Sequence, residues 1–246
     1  MRLLTWNCNK GAYSKKVPRL EPIAADIAVI QECAKPASES NRCLWFGDKA
    51  NQGVLVLASP TYSIRRLPAP SGVPKFVIPI GVSGPGIEFT VLAVWAKSES
   101  MVGYVQWVLT AVEIYRELIS NAPCVLMGDL NSSVKYASMC PANCQHLTLV
   151  TLLTSLGFVS AYHTFFGEEQ GQESRPTLYF QWNKLKPFHI DYCFLPGSWV
   201  KQIARIEVGG YNEWKGLSDH RPLVVDIDLN CEEAADTEAG GIVTVR

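Results

Sequence analysis

Apolar residues along this chain fall into short runs bounded by Gly, Pro and Ser. The clearest span residues 2–6, 27–31, 53–58, 75–82, 87–95, 123–128, 189–195 and 222–228. Several are rich in Val and Ile, the usual make-up of strands. They are apolar at consecutive positions, so the pattern predicts a sheet covered on both faces. Two stretches have a different period. Met101, Val105, Val108, Val112, Tyr115 and Ile119 recur at three- and four-residue steps, which predicts an amphipathic helix over 101–119 with Pro123 just beyond its end. Leu147, Val150, Leu153 and Leu156 predict a second helix over 145–156, closed by Gly157. Strands outnumber long helices, and the helices interrupt them without strict alternation. That predicts an α/β or α+β fold with a mixed sheet. Residues 163–176 are polar and contain Gly167, Gly171 and Pro176, which predicts a surface loop.

Composition bounds this picture. The chain has 246 residues, 48% of them hydrophobic, enough for one substantial core. We expect one domain over 1–229 and an acidic, mobile tail over 230–246. No internal repeat is visible, and no apolar run approaches the roughly 20 residues of a membrane span. The N-terminal Met-Arg-Leu-Leu-Thr-Trp-Asn reads as a strand without the features of a secretion signal, so a cytoplasmic protein is expected. The eight cysteines include Cys124 and Cys193 inside apolar runs, which suits buried, reduced thiols. Cys140, Cys144 and His146 hint at zinc, but no second pair of ligands follows at suitable spacing.

The formal net charge of −1 does not announce a nucleic-acid partner. Its distribution says more. Residues 230–246 carry Glu232, Glu233, Asp236 and Glu238 against Arg246, while residues 1–20 hold Arg2, Lys10, Lys15, Lys16 and Arg19 with no acid. A local basic loop can contact phosphates on a neutral protein, although a solvated loop has the same composition.

The chemical signal lies where acids and amides meet the strand ends. Asn7 and Asn9 follow the first strand run, Glu32 the second, and Asp129 and Asn131 the run at 123–128. Asp191 sits inside the run at 189–195, and Asp219 and His220 precede the last run. Strand ends of one sheet cluster at one rim, so these groups can converge. Taken singly, each could be a turn or a cap. Together, carboxylates, amides and one imidazole suit a hard divalent cation. Mg²⁺ takes oxygen ligands and keeps waters, whereas zinc would want more His or Cys. Such a set can supply what phosphoester hydrolysis needs: a cation, an oriented water and donors for developing charge.

Trp-Asn-Cys-Asn, Gln-Glu, Gly-Asp-Leu-Asn, Ile-Asp-Tyr and Ser-Asp-His occur in this order from Asn7 to His220. In that order they resemble the motifs of the endonuclease/exonuclease/phosphatase superfamily, to which exonuclease III, apurinic/apyrimidinic endonucleases and DNase I belong. The resemblance implies a four-layer sandwich of two packed mixed β-sheets flanked by helices, with the site at one rim. It implies Glu32, Asn7 and Asp219 as metal ligands for Mg²⁺, with Mn²⁺ able to substitute. It implies that Asp129, steered by Asn131, acts on the attacking water. His220 would contact the scissile phosphate, with Asp191 orienting its imidazole. Both His220 and Asp129 remain candidates for the base. One departure stands out. Where relatives carry Tyr or His after the strand at 87–95, this chain has Trp95. An indole donates but cannot transfer a proton. Either Trp95 is a simple donor, or Lys97 makes the phosphate contact, or Trp95 is a core residue.

DNA is the first choice of substrate, cleaved by a deoxyribonuclease acting as a monomer without a membrane, because the basic loop 10–19 follows Asn7 and its lysines would track a phosphate backbone. Asn9 and Lys10 follow Asn7 directly and would reach the phosphate backbone. Trp45, Phe46, Trp182 and Trp214 are candidate stacking aromatics or core residues, with Trp182 first among them. The alternatives are another phosphoester (RNA, a phosphotyrosyl–DNA link or an inositol phosphate) or an inactive nucleic-acid-binding module.

Overall fold

The computed structural model describes residues 1–98 and 101–229, so the expected tail over 230–246 lies outside the described residues. The first strands are β1 (Arg2–Asn7), β2 (Ile27–Cys33), β3 (Cys43–Lys49) and β4 (Gln52–Ala58). Next come β5 (Ser63–Arg66), β6 (Val77–Gly84), β7 (Ile87–Trp95), β8 (Cys124–Asp129) and β9 (Phe158–Ser160). The short pair β10 (Leu178–Tyr179) and β11 (Pro187–Phe188) precedes β12 (Asp191–Pro196), β13 (Ile203–Val208) and β14 (Leu223–Ile227). Two six-stranded sheets result, one ordered β13-β14-β1-β2-β4-β3 and the other β5-β6-β7-β8-β12-β9. β1 pairs with β2 and β7 with β8 in parallel, and both sheets are otherwise antiparallel, so both are mixed.

The consecutive apolar positions now have a cause. Leu3 of β1 faces a core shared by both sheets, with Val29, Val54, Val91, Met127 and Leu223. Its neighbour Leu4 points the other way, with Trp6, Ile30 and Leu55, under Val17, Leu20 and Trp214. In the second sheet, Val91 and Ala93 face the shared core, whereas Leu92 and Val94 meet Val108, Val112 and Leu149. Side chains alternate across a strand, so a strand covered on both faces must be apolar at every position. Burying each such aliphatic contributes about 1.5–3 kcal/mol, so neither face can be left to water. The result is helices, sheet, sheet and helices: the four-layer sandwich.

The helices are α1 (Tyr13–Lys16), α2 (Met101–Ile114), α3 (Arg116–Asn121), α4 (His146–Ser155), α5 (Ala161–Phe166) and α6 (Tyr211–Trp214). The stretch expected as one helix over 101–119 is two, divided at Tyr115. The apolar period survives the break, because Val105, Val108, Val112, Tyr115 and Ile119 all face one core. The buried Tyr115 hydroxyl donates to the Val77 carbonyl at 3.2 Å. The stretch expected as loop over 163–176 begins inside α5. Trp45 and Trp214, named as candidate stacking residues, pack in the core instead. No described helix is long and apolar enough to cross a membrane.

A polar cluster lies under the loop after α5. His163 Nε2 is 3.2 Å from Glu173 Oε1, His146 pairs with Ser132 and Gln170, and His189 Nδ1 donates to the Arg175 carbonyl. Those bonds engage His146, and the Cys144 thiol donates to Gln106 Oε1. Burial pushes His146 and His189 down to about 4. The unfolded chain therefore binds more protons between about pH 6.5 and pH 4, and stability falls as pH falls through that window. Asp129 works the other way: burial, then the nearby Asp191, raises its carboxyl to about 7. In an Asp129→Asn background that opposition is gone. Urea unfolding should then show stability dropping by several kcal/mol from neutral pH to the foot of the window. Each imidazole held neutral against its tendency to charge costs about 1.4 kcal/mol for every pH step it crosses. A flat profile would mean that the two imidazoles are not held neutral.

Candidate active site

Two sheets meet at one rim, and the strand order puts the candidate residues there. Asn7 ends β1, and Glu32 lies near the end of the parallel β2. Asp129 ends β8 and pairs in register with Asp191, the first residue of β12. On its other side β8 lies close against β7, and Gly128 makes this workable. It has φ 150°, and a Cβ there would stand 1.9 Å from the Val94 carbonyl oxygen of β7. The glycine of Gly-Asp-Leu-Asn is therefore required by the backbone beside it.

Hydrogen bonds tie the two sheets together at this point. Asn7 Nδ2 donates to Asp129 Oδ2 at 2.9 Å and lies 3.3 Å from Glu32 Oε1. Asn131 donates its backbone N–H to Asp129 Oδ1 at 2.8 Å and its amide to Asp129 Oδ2 at 3.0 Å and the Ala96 carbonyl at 2.9 Å. Asp219 accepts from Asn9 Nδ2 at 2.5 Å, and the Asn9 backbone N–H donates to Asn7 Oδ1 at 2.9 Å. Asn7, Asn9, Glu32, Asp129, Asn131 and Asp219 thus form one connected network. Asn9, Lys10, Glu32 and Asn131 all have positive φ, at 48°, 60°, 58° and 47°. Such backbone is costly for non-glycine residues and clusters at functional sites.

His220 completes the group. Its Nδ1 lies 2.8 Å from Asp191 Oδ2, and both residues are buried. Burial alone would drive the imidazole down, but Asp191's charge and hydrogen bond outweigh it and raise His220 to about 10. The other Asp191 oxygen, Oδ1, is buried and has no partner among the described residues. Ser218 pins the turn: its hydroxyl donates to the Asn7 carbonyl at 2.7 Å and accepts from the His220 N–H at 3.0 Å.

The donor set suits a hard cation. Four carboxylates, Glu32, Asp129, Asp191 and Asp219, face a single imidazole, and like charges repel unless a cation offsets them. Oxygen ligands dominate, as Mg²⁺ and Mn²⁺ prefer. Asp129, Asp191 and His220 are close enough to share an ion, with ligand atoms within 4.8 Å of one another. Asp191 Oδ2 is engaged by His220 Nδ1, so Asp191 would reach an ion through its Oδ1, unpartnered among the described residues. Glu32 and Asp219 are more open, and the Asn7 amide lies between Glu32 and Asp129.

The remaining candidates separate. Trp95 is only 3% exposed and packs on Phe76, with ring centroids 4.9 Å apart, so it is the core residue rather than a rim donor. Lys97 is exposed, and its Nζ rests 4.8 Å from the centre of the Trp95 ring. Lys10 is exposed on the loop after β1. Trp182 is 43% exposed, on a turn where it and Gln181 both have positive φ. Phe46 is half-buried beneath the Arg66 guanidinium.

Several contributors carried no signal in the sequence. Gln52 Nε2 donates to Glu32 Oε2 at 3.0 Å, reaching it from β4. The Thr177 hydroxyl accepts from the N–H groups of Ile190 and Asp191, both at 3.0 Å. A cleft of about 350 Å³ opens beside Asn131, walled by Tyr104, Tyr136, Leu178, Phe180 and Phe188. These aromatics come from four separate segments, and nothing local marks them as neighbours.

Known proteins of the same shape and pattern are recognisable. A family model described as the endonuclease/exonuclease/phosphatase family matches residues 4–220. Among solved structures, the 3′-5′ exonuclease NExo of Neisseria meningitidis superposes with a TM-score of 0.68 at 16% identity, over 93% of this chain and 100% of that one. An AP endonuclease from Archaeoglobus fulgidus gives the same TM-score, identity and coverage. The AP endonuclease LMAP of Leishmania major gives 0.69 at 13% identity, over 91% of this chain and 86% of that one. At these identities the likeness is one of fold. Comparison with curated protein sequences gives no match.

Proposed function

The chain belongs to the endonuclease/exonuclease/phosphatase family, and on that premise we propose that it is a divalent-metal-dependent phosphodiesterase acting on DNA. The observation that carries this reading is the network joining Asn7, Glu32, Asp129 and Asn131 across the two sheets, beside the Asp191–His220 pair. Glu32, Asn7 and Asp219 would hold Mg²⁺, for which Mn²⁺ can substitute. When bound, the ion neutralises charge on the phosphoryl oxygens. Asp129, held by Asn7 and Asn131, would orient the attacking water and take its proton as the water oxygen bonds phosphorus; the phosphorus bond to the leaving oxygen breaks, and that oxygen takes a proton from solvent. Asn131, bonding both Asp129 oxygens, fixes the plane of that carboxylate. His220, kept protonated by Asp191, donates to a phosphoryl oxygen, where a fixed donor stabilises the charge that develops. Asn9, Lys10 and Lys97 are the proposed backbone contacts, and Trp182 the proposed stacking contact. Trp95 is not carried forward, because its burial leaves it supporting Lys97.

DNA is favoured by the aromatic cleft beside Asn131. A displaced base or a bare sugar presents flat or apolar faces to such walls, and stacking tolerates any base. The neighbouring NExo fold has been seen with a product DNA hairpin, which adds to this reading. The test is a cleavage panel with and without Mg²⁺ or Mn²⁺: abasic duplex, single-stranded DNA, RNA, a phosphotyrosyl-DNA link and inositol phosphates. Metal-dependent cleavage of a DNA substrate above the rest is expected. Preference for a non-DNA ester would move the substrate and keep the chemistry. No turnover with either ion would replace the enzyme by a binding module.

A further inference from the structure

Arg221 follows His220 and is fully buried, yet among the described residues no carboxylate pairs with it. Its Nη1 donates to the carbonyls of Ser218 at 2.7 Å and His220 at 2.9 Å, so one nitrogen bridges the turn that carries Asp219 and His220. Its Nε and Nη2 are buried without partners among the described residues. The guanidinium carbon lies 4.9 Å from the centre of the Tyr179 ring and 5.0 Å from that of Tyr211. Those rings meet edge to face at 4.6 Å. From there the connections run outward: the Tyr211 hydroxyl donates to the Trp182 carbonyl at 3.0 Å, on the exposed turn with two positive-φ residues. They also return to the catalytic turn, because Tyr179 N–H donates to the Asp219 carbonyl at 2.8 Å.

Burial works against the charge of this guanidinium, and the Asp219 carboxylate offsets part of that without pairing directly with it. An apolar side chain of similar length in such a place is often neutral or better for stability. Stability alone is therefore a poor reason for arginine here. We propose that Arg221 is a positioning residue: with Tyr179 and Tyr211 it joins the exposed Trp182 turn to the turn carrying Asp219 and His220, so that the two move as one unit. This rests on the reading of the rim as a metal-dependent phosphodiesterase site, and it extends that reading from the metal-side residues to the surface that meets substrate.

The full-length protein with Arg221→Met, Arg221→Lys or Tyr211→Phe tests this by amide hydrogen exchange and by calorimetric binding of Mn²⁺. Arg221→Met should keep the wild-type unfolding midpoint. It should speed exchange of the amides of Tyr179, His220 and Arg221 by about tenfold while the central strands stay protected. Mn²⁺ affinity should fall by about tenfold, the usual size of a loss behind a ligand. Arg221→Lys, which still has a charge and donors for the two carbonyls, should recover most of that affinity. Tyr211→Phe should speed exchange across 180–186 and leave His220 protected. Unchanged exchange of His220 together with unchanged Mn²⁺ affinity in Arg221→Met would overturn the proposal. So would a Tyr211→Phe protein whose 180–186 amides exchange as in wild type. Should Arg221→Met fail to fold, Arg221→Lys without recovered affinity relative to wild type would overturn it too. A wild-type protein that binds no Mn²⁺ would instead sink the metal-site reading, and local exchange alone would then decide Arg221.

Discussion

Replacing Asp129 with Ala should lower kcat by about 10²–10⁴-fold, the range carried by a positioned acid or base, with KM little changed. Asp129 sits where both sheets meet, and its carboxylate accepts from Asn7 and twice from Asn131. Among the described residues no other side chain bonds both amides, so none can take over the water. The substitution has two structural effects of opposite sign. It leaves buried N–H donors unpaired, at about 1–3 kcal/mol. It also removes a buried carboxyl that Asp191 crowds in register, which relieves repulsion. The protein should therefore fold, with a modest change in unfolding midpoint, and circular dichroism beside steady-state kinetics separates the two. Undiminished metal-dependent turnover would remove Asp129 from the chemistry. A loss confined to KM would make it a binding residue.

Much of this site was legible because strand patterns are local. Asn7, Glu32 and Asp129 each end an apolar run, and a run apolar at every position has to be a strand covered twice. Strand ends gather at a rim, so the gathering of acids follows from topology alone. What the pattern could not show was side-chain direction at the end of a strand. Trp95 closes β7 in register with Asp129, which is the right place for a rim residue, yet its ring turns onto Phe76 in the shared core. Trp45 and Trp214 differ from Trp182 for a similar reason. The first two lie over apolar neighbours in Leu55 and Trp6, whereas Trp182 stands exposed on a strained turn. Edge strands were also hidden. β13 reads Ile-Ala-Arg-Ile-Glu-Val, with charges on its outer face, and so looks like no continuous run. Gln52 reaches Glu32 from a neighbouring strand, and Arg221, although next to His220 in the chain, sets its guanidinium against tyrosines from other segments. No spacing rule reaches that far.

Replacing Asp191 with Asn should be nearly as damaging as losing Asp129, at about 10²–10⁴-fold in kcat. The effect runs through His220. The imidazole is buried, and burial favours its neutral form; it stays charged because Asp191 Oδ2 lies 2.8 Å from Nδ1. An amide is neutral and close to the same shape, so packing changes little while the electrostatic support goes. Without it, burial dominates and the proton leaves at lower pH. Two readouts follow. Turnover falls at neutral pH because the donor facing the phosphate is lost. The alkaline limb of the rate profile also moves toward neutrality, since a group raised in the folded protein loses its proton on the way up in pH, and that loss now comes earlier. His220→Ala removes the same donor outright, so it should match Asp191→Asn in rate but show no such limb. If Asp191→Asn lowered the rate and left the alkaline limb in place, Asp191 would be orienting His220 without holding its charge. If the rate survived intact, the pair would belong to the fold and the proton donor would have to be sought at the exposed Lys97.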